Sequence, residues 1–232
     1  MSAVKIEFFH DVICSFCFPM SYRMRQLKAV MPEVEVIHRS FALVKEPSDF
    51  DRMFGSRENA KNEILSHWFY ANQNDDLHRF NIDGMKQAVF PFPSSMNTLI
   101  AAKAAYFISG DDLYWDLFDA LQESLFMHNK NVEDIEVIEA TVQTIGIDLT
   151  SWRQHFADEK TREAVLADLK LAEDYQITSI PTLIVDGKHT ISGAQPLTAI
   201  QSVLNEISLQ KKLSAVETEA SCKFRDGKFE CD

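Results

Sequence analysis

The chain has 232 residues and a formal net charge of −12, and 46% of its residues are hydrophobic. This composition is typical of a globular protein with its own core, and the negative charge disfavours nucleic acid and anionic membranes as general partners. The sequence contains neither a recognisable signal peptide nor a run of about 18 apolar residues, so we expect a cytoplasmic protein without a membrane span.

The first predicted elements flank a pair of cysteines. A short apolar run, Val4 to Phe9, predicts a strand, and a helical pattern follows it from about Cys14 to Met31. Cys14 and Cys17 stand at this junction in a C-x-x-C spacing, in which two sulfurs share one face of a helical turn and can form a disulfide. A C-x-x-C in this position is typical of a redox-active motif.

The two cysteines are expected to have different roles. A sulfur at the helix N-terminus faces unpaired backbone N–H groups and the positive end of the helix dipole, which favour thiolate, so we expect Cys14 to be the nucleophile. Cys17, one turn deeper, is then the resolving thiol. Half of a zinc site is the alternative interpretation, but Cys222 and Cys231 lie at the far end of the chain, so we expect no metal.

The remaining strands are predicted near the two ends of the chain. A second strand, parallel to the first, is predicted at Val34 to Phe41. A hairpin is predicted from Thr182 to Ile191, with Asp186-Gly187 as its two-residue turn. A closing helix follows Pro196.

The segment between these strands is predicted to be helical. Residues 46–94 are polar and interrupted by proline and glycine, which indicates short helices and surface loop. Four stronger helical patterns follow: the first ends near Gly110, the second begins after Asp111 and Asp112, the third is closed by Gly146, and the fourth begins near Asp158. We therefore predict an α/β core from residues 1–50 and 176–210, a helical insertion at 51–175, and a linker with a hairpin at 211–232.

This order of elements resembles the DsbA-like thioredoxin superfamily. The resemblance rests on Cys14-Ser-Phe-Cys17 at the first strand-to-helix turn and on Ser179-Ile180-Pro181-Thr182 before the third strand. The opening FFHDVICSFC and the helix at Asn97-Thr98 are most similar to the FrnE-type and 2-hydroxychromene-2-carboxylate-isomerase-like subgroup. The resemblance implies a thioredoxin-like fold, βαβ followed by ββα, with the helical insertion between the two halves.

The resemblance also implies a substrate site around the cysteines. The Ile180–Pro181 peptide should be cis and lie beside them, with the backbone of Ile180 pairing with an incoming polypeptide as an added strand. Ser15 and Phe16, between the cysteines, are expected to contact substrate as well. A Pro181 that merely begins an edge strand is the alternative.

Three features depart from the superfamily pattern. Many members have a buried acid six positions before the first cysteine, where this chain has Phe8, so His10 and Asp11 become the candidates for proton transfer. The dipeptide between the cysteines is Ser-Phe, whereas the subgroup more often has Pro-Trp. Glutathione-dependent isomerases and kappa-type transferases of the superfamily have serine in place of Cys14, which weakens an isomerase interpretation.

A second cysteine pair lies at the C-terminus. Asp226-Gly227 is a strong hairpin signal, and a turn there pairs Cys222 with Cys231 at a non-hydrogen-bonded position, where a disulfide is geometrically allowed. We expect this pair to be structural or redox-active, with two free thiols as the alternative. An isolated hairpin is marginal in water, so its apolar face should pack on the body of the protein or on a second copy in a homodimer.

The sequence therefore predicts a thiol-disulfide oxidoreductase that exchanges disulfides with protein or low-molecular-weight thiol substrates. It should need no metal or bound organic cofactor, with glutathione as a candidate substrate or reductant. The alternatives are a glutathione-dependent isomerase or transferase of the same superfamily and a non-catalytic adaptor with a thioredoxin fold. The direction of electron flow is left open, since about 30 mV in potential corresponds to only about 1.4 kcal/mol.

Overall fold

A computed structural model of the protein describes residues 4–219, 222–225 and 228–231, and gives only the backbone after residue 213. The elements of the N-terminal half are β1 (Lys5–His10), α1 (Cys17–Val30), β2 (Glu35–Ser40), α2 (Ser48–Phe54), α3 (Arg57–Asn74), α4 (Ile82–Gln87) and α5 (Met96–Phe126). The elements that follow are α6 (Ile135–Thr144), α7 (Leu149–Ala157), α8 (Glu159–Asp174), β3 (Thr182–Val185), β4 (His189–Ser192), α9 (Leu197–Glu219), β5 (Cys222–Arg225) and β6 (Lys228–Cys231).

The core is a four-stranded mixed sheet with the strand order β2-β1-β3-β4. β1 and β2 are parallel and joined through α1, whereas β3 runs antiparallel to β1 and to β4. Asp186 and Gly187, in the tight connection between β3 and β4, have φ values of 51° and 69°, the left-handed conformation that this kind of hairpin turn requires. The predicted βαβ and ββα halves are thereby confirmed.

All the helices from α2 to α8 lie between β2 and β3 in the sequence, as the predicted insertion requires. The long helix α5 is interrupted at Ser109 and Gly110, where Gly110 has φ 76° and ψ −162°. The sequence predicts a helix boundary at Gly110, and the structure has a kink within one long helix there. Glycine adopts this conformation without steric cost. Gly146 and Asp158 stand at helix ends as predicted, with the Asp158 side chain accepting a hydrogen bond from Lys160 N.

The prediction of only short helices between residues 46 and 94 is wrong, because α3 has 18 residues. Its buried residues form a narrow stripe of Ala60, Leu65, Trp68 and Ala71, and the rest of the helix is polar. Such a stripe gives a weak periodic signal in the sequence. The fully buried Trp68 ring supplies the missing stabilisation, since it packs edge-on against Phe126 and Phe80 at ring-centroid distances of 4.9 and 5.6 Å.

The C-terminal segment combines a helix with the expected hairpin. α9 continues to Glu219, through the first part of the segment that the sequence analysis treats as a linker. β5 and β6 pair in the predicted register, with Cys222 opposite Cys231 and Phe224 opposite Phe229. The turn at Asp226-Gly227 and the side chains of the cysteine pair lie outside the described residues.

The outer edge of the sheet, at β2, is closed by carboxylates. His38 N donates to Asp111 Oδ1 at 3.2 Å, and Ser40 N donates to Asp168 Oδ2 at 3.0 Å. These are the amides that an unpaired edge strand would otherwise offer to another chain. Asp111 belongs to α5 and Asp168 to α8, so the helical insertion covers this edge.

Within the described residues, no helix combines the length and apolar composition that a membrane span needs.

Arg23 on α1 joins the insertion to the sheet. Its guanidinium binds Asp76 through two hydrogen bonds of 2.9 Å, and it also donates to the side chain and carbonyl of Asn74. Further bonds reach the carbonyls of Ala194 and Gln195, between β4 and α9. The Arg23 side chain is buried and supplies the hydrogen bonds of the Asn74 and Gln195 carbonyls, whereas the Ala194 carbonyl also accepts from Asn74 Nδ2 at 3.3 Å.

We expect Arg23→Leu to lower the free energy of unfolding by about 3 kcal/mol, because the partly buried carbonyls of Asn74 and Gln195 lose their donor and Asp76 loses its ion pair. Urea denaturation followed by circular dichroism measures this difference. Arg52→Leu, the same change at an exposed arginine paired only with Asp49 on its own helix, is the matched control and should have little effect. Equal losses in the two variants would contradict the role assigned to Arg23.

Candidate active site

The C-x-x-C motif lies in the loop between β1 and α1. Cys14 N donates to Asp11 O at 3.2 Å, and Cys17 N donates to Cys14 O at 3.1 Å, so two consecutive turns hold the motif. The helix begins at Cys17 and not at Cys14, which corrects the sequence prediction. Pro19 then occupies the third helical position, where a missing N–H leaves no acceptor without a partner.

Both cysteines are buried, and Cys17 is the deeper of the two. Cys14 is 5% exposed and Cys17 is fully buried, and both are free thiols. Burial raises the pKa of the Cys17 thiol well above its ordinary value, and its hydrogen bond with the Cys14 sulfur raises that pKa further. Cys14 is therefore the less buried of the two sulfurs, and Cys17 holds its proton until a base removes it.

The loop before β3 completes one side of the motif. The Ile180–Pro181 peptide bond is cis, as the resemblance implies, and Pro181 is buried. The Cys14 thiol points at the Ile180 carbonyl, with 3.8 Å between Sγ and O. Ser15 and Phe16 are half-buried, and the Phe16 ring packs against the core. The structure thus brings the loop of Cys14 and Cys17 next to the loop of Ile180 and Pro181, which lies more than 160 residues later in the sequence.

Asp11 is the buried acid of this loop. Its carboxylate accepts hydrogen bonds from Ile13 N at 3.2 Å, from Leu43 N at 2.8 Å and from the Ser95 hydroxyl at 2.6 Å. Burial raises its pKa to about 6, despite these hydrogen bonds, which lower it. Its charge also raises the pKa of Cys17. Of the two candidates for proton transfer that the sequence leaves open, Asp11 is therefore the one electrostatically coupled to the resolving thiol.

His10, the other candidate, belongs to a different buried cluster. Its ring lies on the face of the sheet that packs against α5, where Nε2 is 3.0 Å from His38 Nδ1. Phe8, at the position of the usual buried acid, lies on the same face, with its ring centroid 4.6 Å from that of His10. Glu7 lies on the opposite face and pairs with Arg39, as the alternation of a strand predicts.

Gln122 on α5 is a site residue that the sequence analysis missed. Its Nε2 lies within 3.3 to 3.5 Å of the carbonyls of Asp11, Val12 and Cys14, beneath the motif. The sequence feature that could have indicated Gln122 is its position four residues after Phe118, where a polar side chain interrupts the apolar face of the helix. A single glutamine on such a face is a weak signal, because its partners lie more than 100 residues away.

The described side chains do not form a metal site. Among residues 4–213, no group of three or more His, Cys, Asp or Glu side chains is arranged to hold a metal ion. The interpretation of the C-x-x-C as half of a zinc site therefore finds no partner ligands in this part of the chain. The side chains of Cys222 and Cys231 lie outside this part of the chain.

Asp11→Asn should change how stability depends on pH. A folded-state pKa of about 6, above the ordinary value of 3.8, means that the folded protein binds the Asp11 proton more tightly, so this residue costs stability as pH rises from about 4 to 6. We expect the stability of the variant, relative to the original, to increase by roughly 2 to 3 kcal/mol over this range and to be constant above it.

Urea denaturation at a series of pH values measures this trend. The lost hydrogen bonds add a cost that does not depend on pH, so the slope and not the absolute value is the test. Asp83→Asn, which removes an exposed carboxylate from α4, controls for the change in surface charge. Parallel curves for Asp11→Asn and the original protein would rule out a raised pKa at this residue.

Comparisons with known proteins agree with this architecture. A candidate protein disulfide isomerase from Nitrosomonas europaea superimposes with a TM-score of 0.74 at 15% identity, covering 90% of this chain and 98% of that one. The cytosolic disulfide reductase DsbM from Pseudomonas aeruginosa gives a TM-score of 0.67 at 16% identity, over 87% and 98% of the two chains. A 2-hydroxychromene-2-carboxylate isomerase gives 0.61 at 13% identity, over 90% and 98%. At these identities the likeness establishes the fold alone.

A curated sequence relative matches a shorter segment. The ClpXP adapter protein SpxH of Bacillus licheniformis is 27% identical over 84 residues, which are 36% of this chain and only 28% of that protein's length. The family model of the DSBA-like thioredoxin domain matches residues 5–205, and so spans the sheet, the motif and the whole insertion. The chain therefore belongs to the family of DSBA-like thioredoxin domains.

Proposed function

We propose that the protein is a thiol-disulfide oxidoreductase that acts on protein or low-molecular-weight thiol substrates through Cys14 and Cys17. The observation that carries this proposal is a pair of free thiols, Cys14 at 5% exposure and Cys17 fully buried, beside the cis Ile180–Pro181 peptide. Membership of the DSBA-like family and the likeness to disulfide oxidoreductases support it.

The proposed reaction has two exchange steps. A Cys14 thiolate attacks a disulfide of the substrate, one sulfur of which leaves as a thiolate with the electron pair of the broken bond. The Cys17 thiolate then attacks Cys14 Sγ, the mixed disulfide breaks, and the second substrate sulfur leaves as a thiolate. The motif has lost two electrons and become a disulfide, and the substrate has gained them. A thiol such as glutathione reverses the sequence, so no resident cofactor is required.

The Ile180 backbone is the proposed substrate contact. Its carbonyl lies next to the Cys14 sulfur, where an extended peptide with a cysteine would pass. Ser15 and Phe16 are only half-buried and border the same approach. A cytoplasmic role is part of the proposal, supported by the likeness to a cytosolic disulfide reductase.

Cysteine variants test the reaction in a Cys222→Ser, Cys231→Ser background, where the motif is the only source of thiols. Equilibration with glutathione buffers should give a single potential between about −270 and −120 mV. Cys17→Ser should trap a stable mixed disulfide on Cys14, because the resolving thiol is absent, and Cys14→Ser should form none. Mass spectrometry of unreduced protein identifies the adducts. A motif that forms no reversible disulfide would exclude the oxidoreductase function.

Two other functions predict different results in the same experiment. A glutathione-dependent isomerase predicts saturable glutathione binding and an activity that survives Cys17→Ser; the likeness of the fold to a 2-hydroxychromene-2-carboxylate isomerase keeps an isomerase as a candidate. An adaptor, in line with the short match to SpxH, predicts binding of a partner protein whatever the state of the cysteines. The described thiol pair favours the exchange enzyme, because neither alternative needs a second, buried cysteine.

The C-terminal cysteines form a second disulfide in this proposal. In the register of β5 and β6, the pairs alternate between hydrogen-bonded and non-hydrogen-bonded positions outward from Arg225 and Lys228. Cys222 and Cys231 then occupy a non-hydrogen-bonded pair, where Cα atoms lie about 4.5 Å apart and a disulfide fits. The hairpin would pack on the body of the protein or on a second copy in a homodimer.

Thiol counting tests this second disulfide. The double variant Cys14→Ser, Cys17→Ser retains only the C-terminal pair, and after air oxidation we expect no thiol to react with iodoacetamide under denaturing conditions. Reduction before alkylation should reveal two thiols. Two reactive thiols in the oxidised, unreduced sample would contradict the pairing. Sedimentation of the same sample reports whether the chain forms a dimer.

A further inference from the structure

Five buried polar atoms lie along one seam between α5 and the sheet without a hydrogen-bond partner. They are Gln122 Oε1, His10 Nδ1, His38 Nε2, Tyr114 Oη and Ser40 Oγ. Tyr114, Phe118 and Gln122 follow each other at four-residue spacing and so share one face of α5. A buried polar group without a partner costs about 1 to 3 kcal/mol, so a polar occupant that bonds to these atoms would stabilise the fold.

The rings along the seam are in contact. His10 packs against Phe118 with ring centroids 4.0 Å apart, and His38 stacks on Tyr114 at 5.1 Å. Ser40 is the register partner of His10 on the neighbouring strand, and its hydroxyl lies close enough to the Tyr114 phenol for a hydrogen bond that lowers the Tyr114 pKa, although the two oxygens do not have the geometry of a regular bond. The seam therefore runs from Gln122, beneath the motif, past both histidines to Ser40 at the end of β2.

The two histidines form a directional pair. His10 Nε2 and His38 Nδ1 are 3.0 Å apart, so one ring donates this hydrogen bond and the other accepts it. Each neutral imidazole carries one N–H, so the two outer nitrogens are always one donor and one acceptor. A proton that enters at one outer nitrogen, with another leaving from the other, reverses the pair and leaves no net charge. The pair can therefore pass protons while both rings are neutral before and after.

The surroundings of the pair keep the rings neutral. Burial lowers the pKa of both histidines well below the ordinary value; His38 and Lys103 lower the pKa of His10 further, and Arg25 and Lys103 lower the pKa of His38 further. The acidic groups near the pair are engaged elsewhere: Asp111 accepts from His38 N, and Asp168 binds Lys103 Nζ at 2.5 Å. Neither carboxylate is therefore bound to an imidazole.

The two ends of the seam differ in chemistry. At one end Gln122 contacts the carbonyls of Asp11 and Cys14, next to the redox pair. At the other end Ser40 N is bound to Asp168, whose carboxylate also pairs with Arg39. The Arg39 side chain is 27% exposed, so this ion-pair cluster reaches solvent at the edge of the sheet.

We propose that the seam holds internal water molecules, and that these waters and the His10–His38 pair carry the proton of Cys17 from the redox centre to solvent at the β2 edge. This inference rests on the proposed function. Water is the occupant that fits, because it both donates and accepts and so satisfies all five atoms. His10 and His38 are positioning residues here, since they act through water and do not touch the substrate.

The proton balance follows from one exchange with glutathione disulfide. Cys14 first loses its proton to solvent, its thiolate attacks glutathione disulfide, the S–S bond of that molecule breaks, and one glutathione leaves as a thiolate while the other stays bound to Cys14 as a mixed disulfide. Cys17 then loses its proton, its sulfur attacks Cys14 Sγ, and glutathione leaves as a thiolate with the electron pair. The Cys17 proton leaves through the seam, and the glutathione thiolate takes a proton from bulk water. The route changes the rate of this step and not its equilibrium, so it should leave the reduction potential unchanged.

Water in the seam can be detected independently of any activity. In the reduced protein with ¹⁵N-labelled histidine, NMR should show both rings neutral at pH 7 and long-lived water with nuclear Overhauser contacts to the His10 and His38 ring protons. Tyr114→Phe keeps the packing and removes one polar atom, so it should reduce these contacts. Absence of long-lived water near both rings in the original protein would overturn the inference.

The rate of resolution tests the proton route. Rapid mixing of the reduced protein with glutathione disulfide, followed from pH 6 to 9, should show His38→Gln resolving its mixed disulfide about tenfold or more slowly near pH 7, a modest loss for proton transfer. Glutamine keeps a donor and an acceptor but cannot exchange protons between two nitrogens. The rate in the variant should rise with hydroxide concentration, whereas the original should depend less on pH. His67→Gln, at an exposed histidine of α3, is the matched control.

The outcomes separate the possible failures. If His38→Gln resolves the mixed disulfide slowly and keeps the reduction potential of the original protein, the result supports the route. If its reduction potential shifts and its stability falls, His38 has a purely structural role and the route is overturned. If His38→Gln does not fold, Tyr114→Phe carries the same kinetic test. If the folded variants resolve the mixed disulfide at the same rate and with the same pH profile as the original protein, the route is overturned. If the original protein does not react with glutathione disulfide, the proposed function fails and the route with it, whatever the NMR shows about water.

Discussion

The buried carboxylate of Asp11 is the interaction on which the arrangement of the motif depends. Its hydrogen bonds to Ile13 N, Leu43 N and Ser95 Oγ join three chain segments that are far apart in sequence. Ser95 continues the connection, because its hydroxyl accepts from Val44 N and its amide donates to Val44 O. A buried carboxylate is costly, and these bonds offset part of that cost while they fix the loop that carries Cys14. The insertion is therefore part of the site and not a separate addition to the core.

The helix α5 extends this dependence to the sheet. Gln122 lies under the motif, while Trp115, two turns earlier, donates to the Ser21 hydroxyl of α1 at 2.7 Å. Ser21 and Arg25 both bind Asp119, so α1 and α5 are locked along the length of their contact. The kink at Gly110 then turns the first half of α5 toward Asp168 and the β2 edge, where Lys103 completes the ion-pair cluster. One helix thus contacts both the redox loop and the closed edge of the sheet.

The sequence predicts the local parts of this structure well and the long-range parts poorly. The strands, the Asp186-Gly187 turn and the register of Cys222 with Cys231 follow from alternation and turn chemistry, which act over a few residues. The sequence predicts that α1 begins near Cys14, but it begins at Cys17. This later start places Pro19 in the first turn of the helix, where its missing N–H leaves no carbonyl without a partner. The choice between His10 and Asp11, and the role of Gln122, depend on which side chains meet across the fold. A single sequence without its contacts carries no such information.

The site combines two groups that both resist ionisation. Burial raises the pKa of Cys17 and of Asp11, and a charge on Asp11 raises that of Cys17 further, so two negative charges in this loop are disfavoured together. In the proposed exchange reaction, a Cys14–Cys17 disulfide would remove one of the two groups, which by linkage would favour the ionised carboxylate. Oxidation and proton release are then coupled through Asp11. A proton released from a buried loop needs polar atoms along its way, and the Gln122 side chain, which contacts the carbonyls of Asp11 and Cys14 through Nε2 and leaves Oε1 without a protein partner, connects the loop with the seam.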